Sequence, residues 1–395
     1  MKQTRFPAAA LAAASLLLAA GASAQFGDGS DGTLVVNSPT DIGADLIAVT
    51  GSYSIGATSM TLATPSPLLA GEEVMIIDLQ GANAGNYEFA TLASVSPTSV
   101  TFTSGITKPY SDSTRLVKVL QYANLSVTST GVLTSSSGII AIRCQTPVTI
   151  EGEVSVYGAG HAGGSPFIPG MSGEQGDSPT GAGIVSPAAN GGGGGGAQTR
   201  VNNPPGGGGG GHASGGTAGQ DPLDLGLVAA GGGTYGTADL SQLFFGSGGG
   251  GGAAALLGGP SQGGNGGGII WMVAPGFTIE TGGSIDARGD NGESGSGSVS
   301  APYGGAGAGA GGSIYLGAGS GGVTVNGLIV AFGGIGGING LTPVLTGRGG
   351  DGGSGRIRID GTITGSTNVI PPVGFNGPEL GPPPASAGGA WSMYE

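Results

Sequence analysis

The sequence predicts an all-β protein, with an N-terminal small β-barrel or sandwich followed by a β-solenoid-like repeat region that carries long glycine-rich inserts. Three observations predict it. Short β-branched runs alternate with turn residues up to about residue 115, three strand patterns recur in a fixed order after Leu116, and glycine supplies 92 of the 395 residues. Helical periodicity is absent from residue 25 onward.

Residues 1–24 read as a signal peptide. Lys2 and Arg5 form a positive start, Ala8 to Ala20 an apolar run, and Ala22-Ser23-Ala24 a small-x-small cleavage site before Gln25. The run is too short to span a bilayer, and no later stretch has the roughly 18 apolar residues a span needs, so no transmembrane segment is expected in the mature chain. The expected location is therefore exported: extracellular, cell-surface or periplasmic. Cys144 is the only cysteine, so no disulfide framework is expected; its flanks, Ile142 and Val148, suggest a buried core thiol. The formal charge of −13 becomes −15 once Lys2 and Arg5 leave with the signal, which argues against nucleic acid and anionic membranes as partners.

Residues 25–115 form the expected N-terminal β-rich domain. Strands are expected at 33–36, 46–49, 59–62, 73–79, 87–95 and 99–102, spaced as hairpins of a small barrel or sandwich.

The repeat domain is expected over 116–365. Val117-Lys118-Val119, Ile140-Ala141-Ile142, Ile270-Trp271-Met272, Ile314-Tyr315-Leu316 and Ile357-Arg358-Ile359 align as a first strand. Leu125-Ser126-Val127, Val148-Thr149-Ile150, Phe277-Thr278-Ile279 and Val323-Thr324-Val325 align as a second. A glycine turn (Gly131, Gly152, Gly283, Gly327) leads to a third, around Val132, Val154, Ile285 and Ile329. The first two copies start 23 residues apart, about one solenoid coil. Alternation points the central residue of each triplet outward, so Lys118, Ala141, Trp271, Tyr315 and Arg358 are expected on a solvated face, and Ser126, Thr149, Thr278 and Thr324 in a hydroxyl column.

The inserts fall at 158–268, 289–312 and 333–355. Strict collagen is excluded, because the triplet period of Gly170, Gly173 and Gly176 breaks at Pro179. Two readings stay open: flexible surface insertions, or extended glycine helices of three residues per turn packed side by side. Residues 366–395 read as a mobile Pro/Gly-rich tail.

No motif here points to chemistry. Gly259-Pro260-Ser261-Gln262-Gly263 matches a serine-hydrolase elbow by letter but lacks the flanking strand and helix. His161 and His212 read as solvated loop histidines without metal-ligand spacing. Gly27-Asp28-Gly29-Ser30-Asp31-Gly32 reads as an Asx-rich turn, and Arg288-Gly289-Asp290 as a coincidental integrin-type tripeptide. A polysaccharide-cleaving solenoid needs two convergent carboxylates, for which the candidates are Glu151, Glu153, Asp286, Asp290 and Asp351.

The opening Phe26-Gly27-Asp28-Gly29-Ser30-Asp31-Gly32, the stretch from Gly71 to Gly81, Gly85-Asn86-Tyr87-Glu88 and the closing Gly352-Gly353-Ser354-Gly355-Arg356-Ile357-Arg358-Ile359 resemble glycine-rich secreted surface proteins of the adventurous gliding motility type in myxobacteria. Similar glycine-rich blocks occur in phage tail-fibre adhesins. The resemblance implies a surface location and a role in motility, adhesion or envelope architecture, and supplies no catalytic residue. The expectation is thus a non-enzymatic structural or adhesive protein, with no cofactor or metal, meeting surface glycans, envelope proteins or abiotic surfaces. The alternatives are a β-helical polysaccharide lyase or glycosidase, and an ice- or crystal-surface-binding protein.

Overall fold

The computed structural model describes residues 25–43, 46–165, 172–198, 203–253, 261–295, 304–338, 347–365, 368–378 and 380, so the expected signal peptide and most of the tail lie outside the described residues. Every regular element among the described residues is a strand. Three six-stranded parallel sheets make a solenoid, and six antiparallel strands close into a barrel.

The first solenoid face stacks Leu120–Tyr122, Ile139–Cys144, Ile269–Ala274, Ser313–Ala318, Arg356–Asp360 and Phe375–Gly377. The second stacks Thr33–Val36, Asn124–Val127, Val148–Ile150, Phe277–Ile279, Val323–Val325 and Ile363–Gly365. The third stacks Pro39–Asp41, Val132–Thr134, Glu153–Ser155, Ser284–Asp286, Leu328–Val330 and Val369–Ile370. Ile140, Ile270, Ile314 and Ile357 are register partners, as the repeat predicts. Their side chains join Leu125, Ile150, Ile285 and Ile329 in one buried column, each burial contributing about 1.5–3 kcal/mol. At the glycine turn the coils approach closely: a β-carbon on Gly152 would lie 2.2 Å from the Gly131 carbonyl oxygen.

The barrel strands run Ile47–Thr50, Ser59–Leu62, Ser99–Phe102, Tyr87–Ser96, Glu73–Asp78 and Thr114–Lys118 in spatial order, the last closing on the first. Closure removes the edges that an open sheet of this size would expose. The barrel leaves the solenoid after a third-face strand and re-enters before a first-face strand. All three glycine-rich inserts do the same, so barrel and inserts share one corner of the coil.

Four expectations are corrected. Thr33–Val36 belongs to the solenoid, pairing in parallel with Asn124–Val127. Val117-Lys118-Val119 does not start the first coil; Ile142 pairs with Leu120, because Thr114–Lys118 is the closing barrel strand. The residues expected on a solvated first face are largely covered: Ala141, Trp271 and Tyr315 pack under Met75, Ile77 and Val117 of the barrel and Leu240, Leu243 and Phe245 of the first insert. Lys118 is tied to Asp31 and Glu72, and Arg358 to Asp360. The described part of the tail is ordered, since Val369–Ile370 and Phe375–Gly377 pair with the last coil and cover its edge.

The described parts of the inserts are packed. Segment 206–211 is buried, and its backbone bonds or close approaches reach six neighbours, at 192–195, 217–220, 229–233, 247–250, 305–308 and 348–353. Partners recur every third residue: Gly207 and Gly210 donate to Gly305 and Ala308, Gly208 and Gly211 to Gly195 and Gly192. A three-residue period in an extended chain bonded only to its neighbours is that of the left-handed polyproline-II helix. Segments 246–252 and 304–312 sit in the same all-round contact, and they too are almost pure glycine, alanine and serine. A segment with six neighbours has no direction left for a side chain. Each backbone bond contributes about 1 kcal/mol net, which offsets glycine's extra folding entropy of roughly 0.5–1 kcal/mol.

Candidate functional site

Segments on the outside of this glycine bundle keep one free direction, and there the sequence places a larger side chain every third residue. Segment 331–338 carries Phe332, Ile335 and Ile338, which are 37%, 62% and 59% exposed while the intervening Gly334, Gly336 and Gly337 are buried. Segment 347–355 carries Arg348, Asp351 and Ser354, half-buried. Segment 214–220 carries Ser214, Thr217 and Gln220, exposed.

These three ridges lie side by side in register. Ser214 and Ser354 hydroxyls meet at 3.0 Å. The Asp351 amide donates to Thr217 Oγ1 at 2.7 Å, and the Gln220 amide to the Arg348 carbonyl at 2.9 Å. On the next side, Gly336 N–H donates to Asp351 Oδ1 and Gly352 N–H to the Gly334 carbonyl, which sets Ile335 beside Asp351. The result is a face of parallel ridges whose side chains repeat about every 9.3 Å along the chain, three residues at 3.1 Å.

A further ridge continues the face toward the solenoid. The Ile335 amide donates to Asn291 Oδ1 at 2.7 Å. Arg288 lies over Phe332 at 5.4 Å and over Tyr157 at 5.2 Å, one coil further on. Asp286 holds Arg288 in a bidentate pair at 2.6–3.0 Å, and Tyr157 donates its hydroxyl to Asp290 at 2.8 Å. The Asp286 carboxylate beside it raises the Arg288 guanidinium above its ordinary pKa, and burial raises Tyr157.

The other sequence candidates fall as follows. Ser261 is buried and its hydroxyl is spent on the Gly304 carbonyl at 2.6 Å. His161 and His212, expected in solvent, are buried; this is a correction, and its cause is the bundle closing over them. His212 donates Nδ1–H to the Gly311 carbonyl and stacks on Tyr235, and His161 meets Phe245 edge-on. Burial pushes His161 down to about 4 and His212 to about 3. Cys144 is a buried free thiol. Asp28 accepts from the Ser30 amide in an Asx turn. Glu151 is exposed at a corner, Asp286 is buried in its ion pair, and Asp351 sits two segments away from Asp290. The tripeptide Arg288-Gly289-Asp290 is part of the packed ladder.

The second face does form a hydroxyl column: Ser126, Thr149, Thr278, Thr324 and Thr364 are successive register partners, with Thr324 and Thr364 hydroxyls 3.0 Å apart. A cleft of about 520 Å³ lies where barrel meets solenoid, lined by Asp31, Glu72, Glu73, Lys118 and Gln121. Its charges hold the joint together. Lys118 bridges Asp31 and Glu72 at 2.9 Å each. Arg143 binds Glu73 in a fork at 2.8 and 2.9 Å while lying over Trp271 and Phe89. Among the described residues no group of three or more His, Cys, Asp or Glu side chains could hold a metal ion, and no helix is long and apolar enough to cross a membrane.

Near Gly170 the triplet period is too short to announce the ridges. The signal lay later, in Phe332-Gly-Gly-Ile335-Gly-Gly-Ile338 and Arg348-Gly-Gly-Asp351-Gly-Gly-Ser354.

No protein-family model matches the sequence, and no curated protein does. Among solved structures, the tailspike gp49 of Pseudomonas phage LKA1 is similar over 29% of this chain and 25% of its own, at 19% identity and a TM-score of 0.17. The tailspike gp61 of Pseudomonas phage phi297 covers 85% and 49%, at 12% identity and 0.19. The Gp54 tailspike of Acinetobacter baumannii bacteriophage AP22, solved with a capsular saccharide, covers 88% and 62%, at 10% identity and 0.19. This chain thus spans from a quarter to three-fifths of their lengths. With TM-scores this low, the site rests on this chain's own geometry.

Proposed function

We propose that this protein is a non-enzymatic, exported surface component that uses its solenoid as a mount and its glycine bundle as a rigid contact platform. The observation that carries this reading is the register of exposed side chains, every third residue, across neighbouring bundle segments. A flexible tether has no use for such register, and a catalytic cleft needs convergence in place of repetition. The candidate carboxylates support the same reading, because Asp286 is already neutralised by Arg288. Adhesion, surface motility and envelope architecture are the roles that a rigid ridged platform on a cell exterior would serve, in line with the resemblance to gliding motility proteins.

The test is direct. Purified protein is expected to bind whole cells, surface glycans or solid surfaces, and loss of the protein is expected to weaken adhesion or surface motility. Protein that binds none of these, from a strain unaffected by its loss, contradicts the proposal. A second reading, ice- or crystal-surface binding, is favoured by the hydroxyl column on the second face. Thermal hysteresis at micromolar protein would support it, and an ice front unaffected by the protein would end it.

A further inference from the structure

We infer that the ridged face binds an extended, uncharged polysaccharide, laid along the direction of the bundle segments. This inference rests on the platform reading above and adds the class of ligand and the residues that meet it.

Three features of the face select the ligand. The first is its period. Phe332, Ile335 and Ile338 present an apolar group about every 9.3 Å along an extended chain, and the ridges beside them keep the same step. A ligand that contacts each ridge position equivalently must repeat at nearly that distance. Extended β-linked pyranose chains do, with a two-sugar repeat of similar length in which alternate sugars turn the same apolar C–H face to one side. A folded protein partner has no reason to share the period.

The second feature is chemistry across the ridges. Apolar Ile335 stands beside Asp351 and, beyond it, Thr217. Polar groups flank the apolar ridge on both sides, Asn291 on one, and on the other Asp351 and Ser354 with Thr217 and Ser214 beyond them. An apolar line with hydrogen-bonding groups at its margins matches a sugar ring, whose C–H face is apolar and whose hydroxyls project sideways. The Tyr157–Arg288–Phe332 stack, with Tyr157 41% and Phe332 37% exposed, closes one end.

Charge is the third. The two arginines of the face are both spent, Arg288 on Asp286 and Arg348 on Asp351, while Asp290 and Glu293 stand nearby with no lysine or arginine ion-paired to them among the described residues. Among the described residues of the face no unengaged cation meets a uronate or sulfate, and the chain as a whole carries −13. An anionic polymer is therefore disfavoured, which commits the ligand to a neutral chain.

The experiment uses the full exported chain in co-sedimentation with a neutral β-1,4-glucan and with alginate as the anionic counterpart. The variants are Phe332→Ala with Ile335→Asn and Ile338→Asn, and, as control, Ile184→Asn with Val185→Asn, exposed apolar residues on a different segment of the bundle. All five side chains are exposed, so the fold is expected to persist, and circular dichroism checks it. The inference expects wild type and control to sediment with the glucan, the triple variant to lose at least tenfold in affinity, and alginate to bind weakly or not at all. It is overturned if the triple variant binds the glucan like wild type, or if alginate binds as well as glucan. It is also overturned if the variant's only defect is loss of self-association in ultracentrifugation, which would make a second copy the occupant. Wild type that adheres to cells but not to glucan sinks this inference alone; wild type that adheres to nothing sinks the platform reading with it.

Discussion

Gly208 and Ala230 lie in adjacent bundle segments so closely that a β-carbon on Gly208 would sit 2.0 Å from the Ala230 carbonyl oxygen. The same contact recurs throughout the bundle interior, with 2.1 Å from Gly209 to Asp351 and 2.3 Å from Gly210 to Ser247. Glycine here serves to let backbones touch on all sides.

Gly208→Ala is therefore expected to destabilise the protein by about 1–3 kcal/mol, as overpacking does, although in an unconstrained loop the same change would stabilise slightly by limiting the unfolded chain. Ile335→Ala, on an exposed ridge and with no side-chain hydrogen bond to lose, is expected to stay within about 0.5 kcal/mol. Denaturant titration of both variants checks the contrast.

The two buried histidines set an acid limit. Their Nε2 atoms lack partners and their folded pKa values lie near 3 and 4, below the unfolded value of 6.5. Unfolding thus takes up protons below about pH 6.5. Their contribution is fully present above that pH and is lost as pH falls toward the folded values, by about 1.4 kcal/mol per pH unit for each histidine. Arg115 and Asp177 line the cleft beside His161, and Arg356 adds a positive field near His212. The midpoint of thermal unfolding should fall between pH 7 and pH 4.5, and His161→Phe should flatten part of that slope.

The Arg143–Glu73 fork joins solenoid to barrel with both side chains mostly shielded from water. Arg143→Met is expected to cost about 2–3 kcal/mol, because it takes the cation from the shielded Glu73 carboxylate and leaves it the Gln121 Nε2 donor. The double variant with Glu73→Met should recover part of that loss, and the double-mutant cycle measures the coupling.

In the solenoid core, Ile285→Ala is expected to cost about 2–5 kcal/mol, since Ile285 is wholly buried between Val154 and Ile329. The outward Thr278→Ala on the neighbouring face should be close to neutral. Equilibrium unfolding distinguishes them.

Much of the fold was legible in local pattern. Val148-Thr149-Ile150 and Phe277-Thr278-Ile279 announce their pairing by alternation, and it holds residue for residue. What alternation could not show was cover from outside the coil. Ile269–Ala274 is an unbroken apolar run, the mark of a strand buried on both faces, yet alternation within its own coil points Trp271 outward. The first rung was hidden for another reason. Thr33–Val36 and its partner Asn124–Val127 are separated by the whole barrel, so no short-range repeat connects them. In the bundle, the third-residue placement of Phe332, Ile335 and Ile338 was present in the letters, but its meaning depends on neighbours that only the folded chain supplies.

The most direct test of the account is amide hydrogen exchange across 192–196, 206–211, 246–252 and 304–312. A packed bundle predicts protection there comparable to the solenoid strands, because the amides of 194–196, 206–211, 248–252 and 304–312 are all bonded to neighbouring segments within the bundle. Exchange of those glycines at the rate of a free peptide, beside protected strands at 269–274 and 313–318, would mean that the platform does not exist.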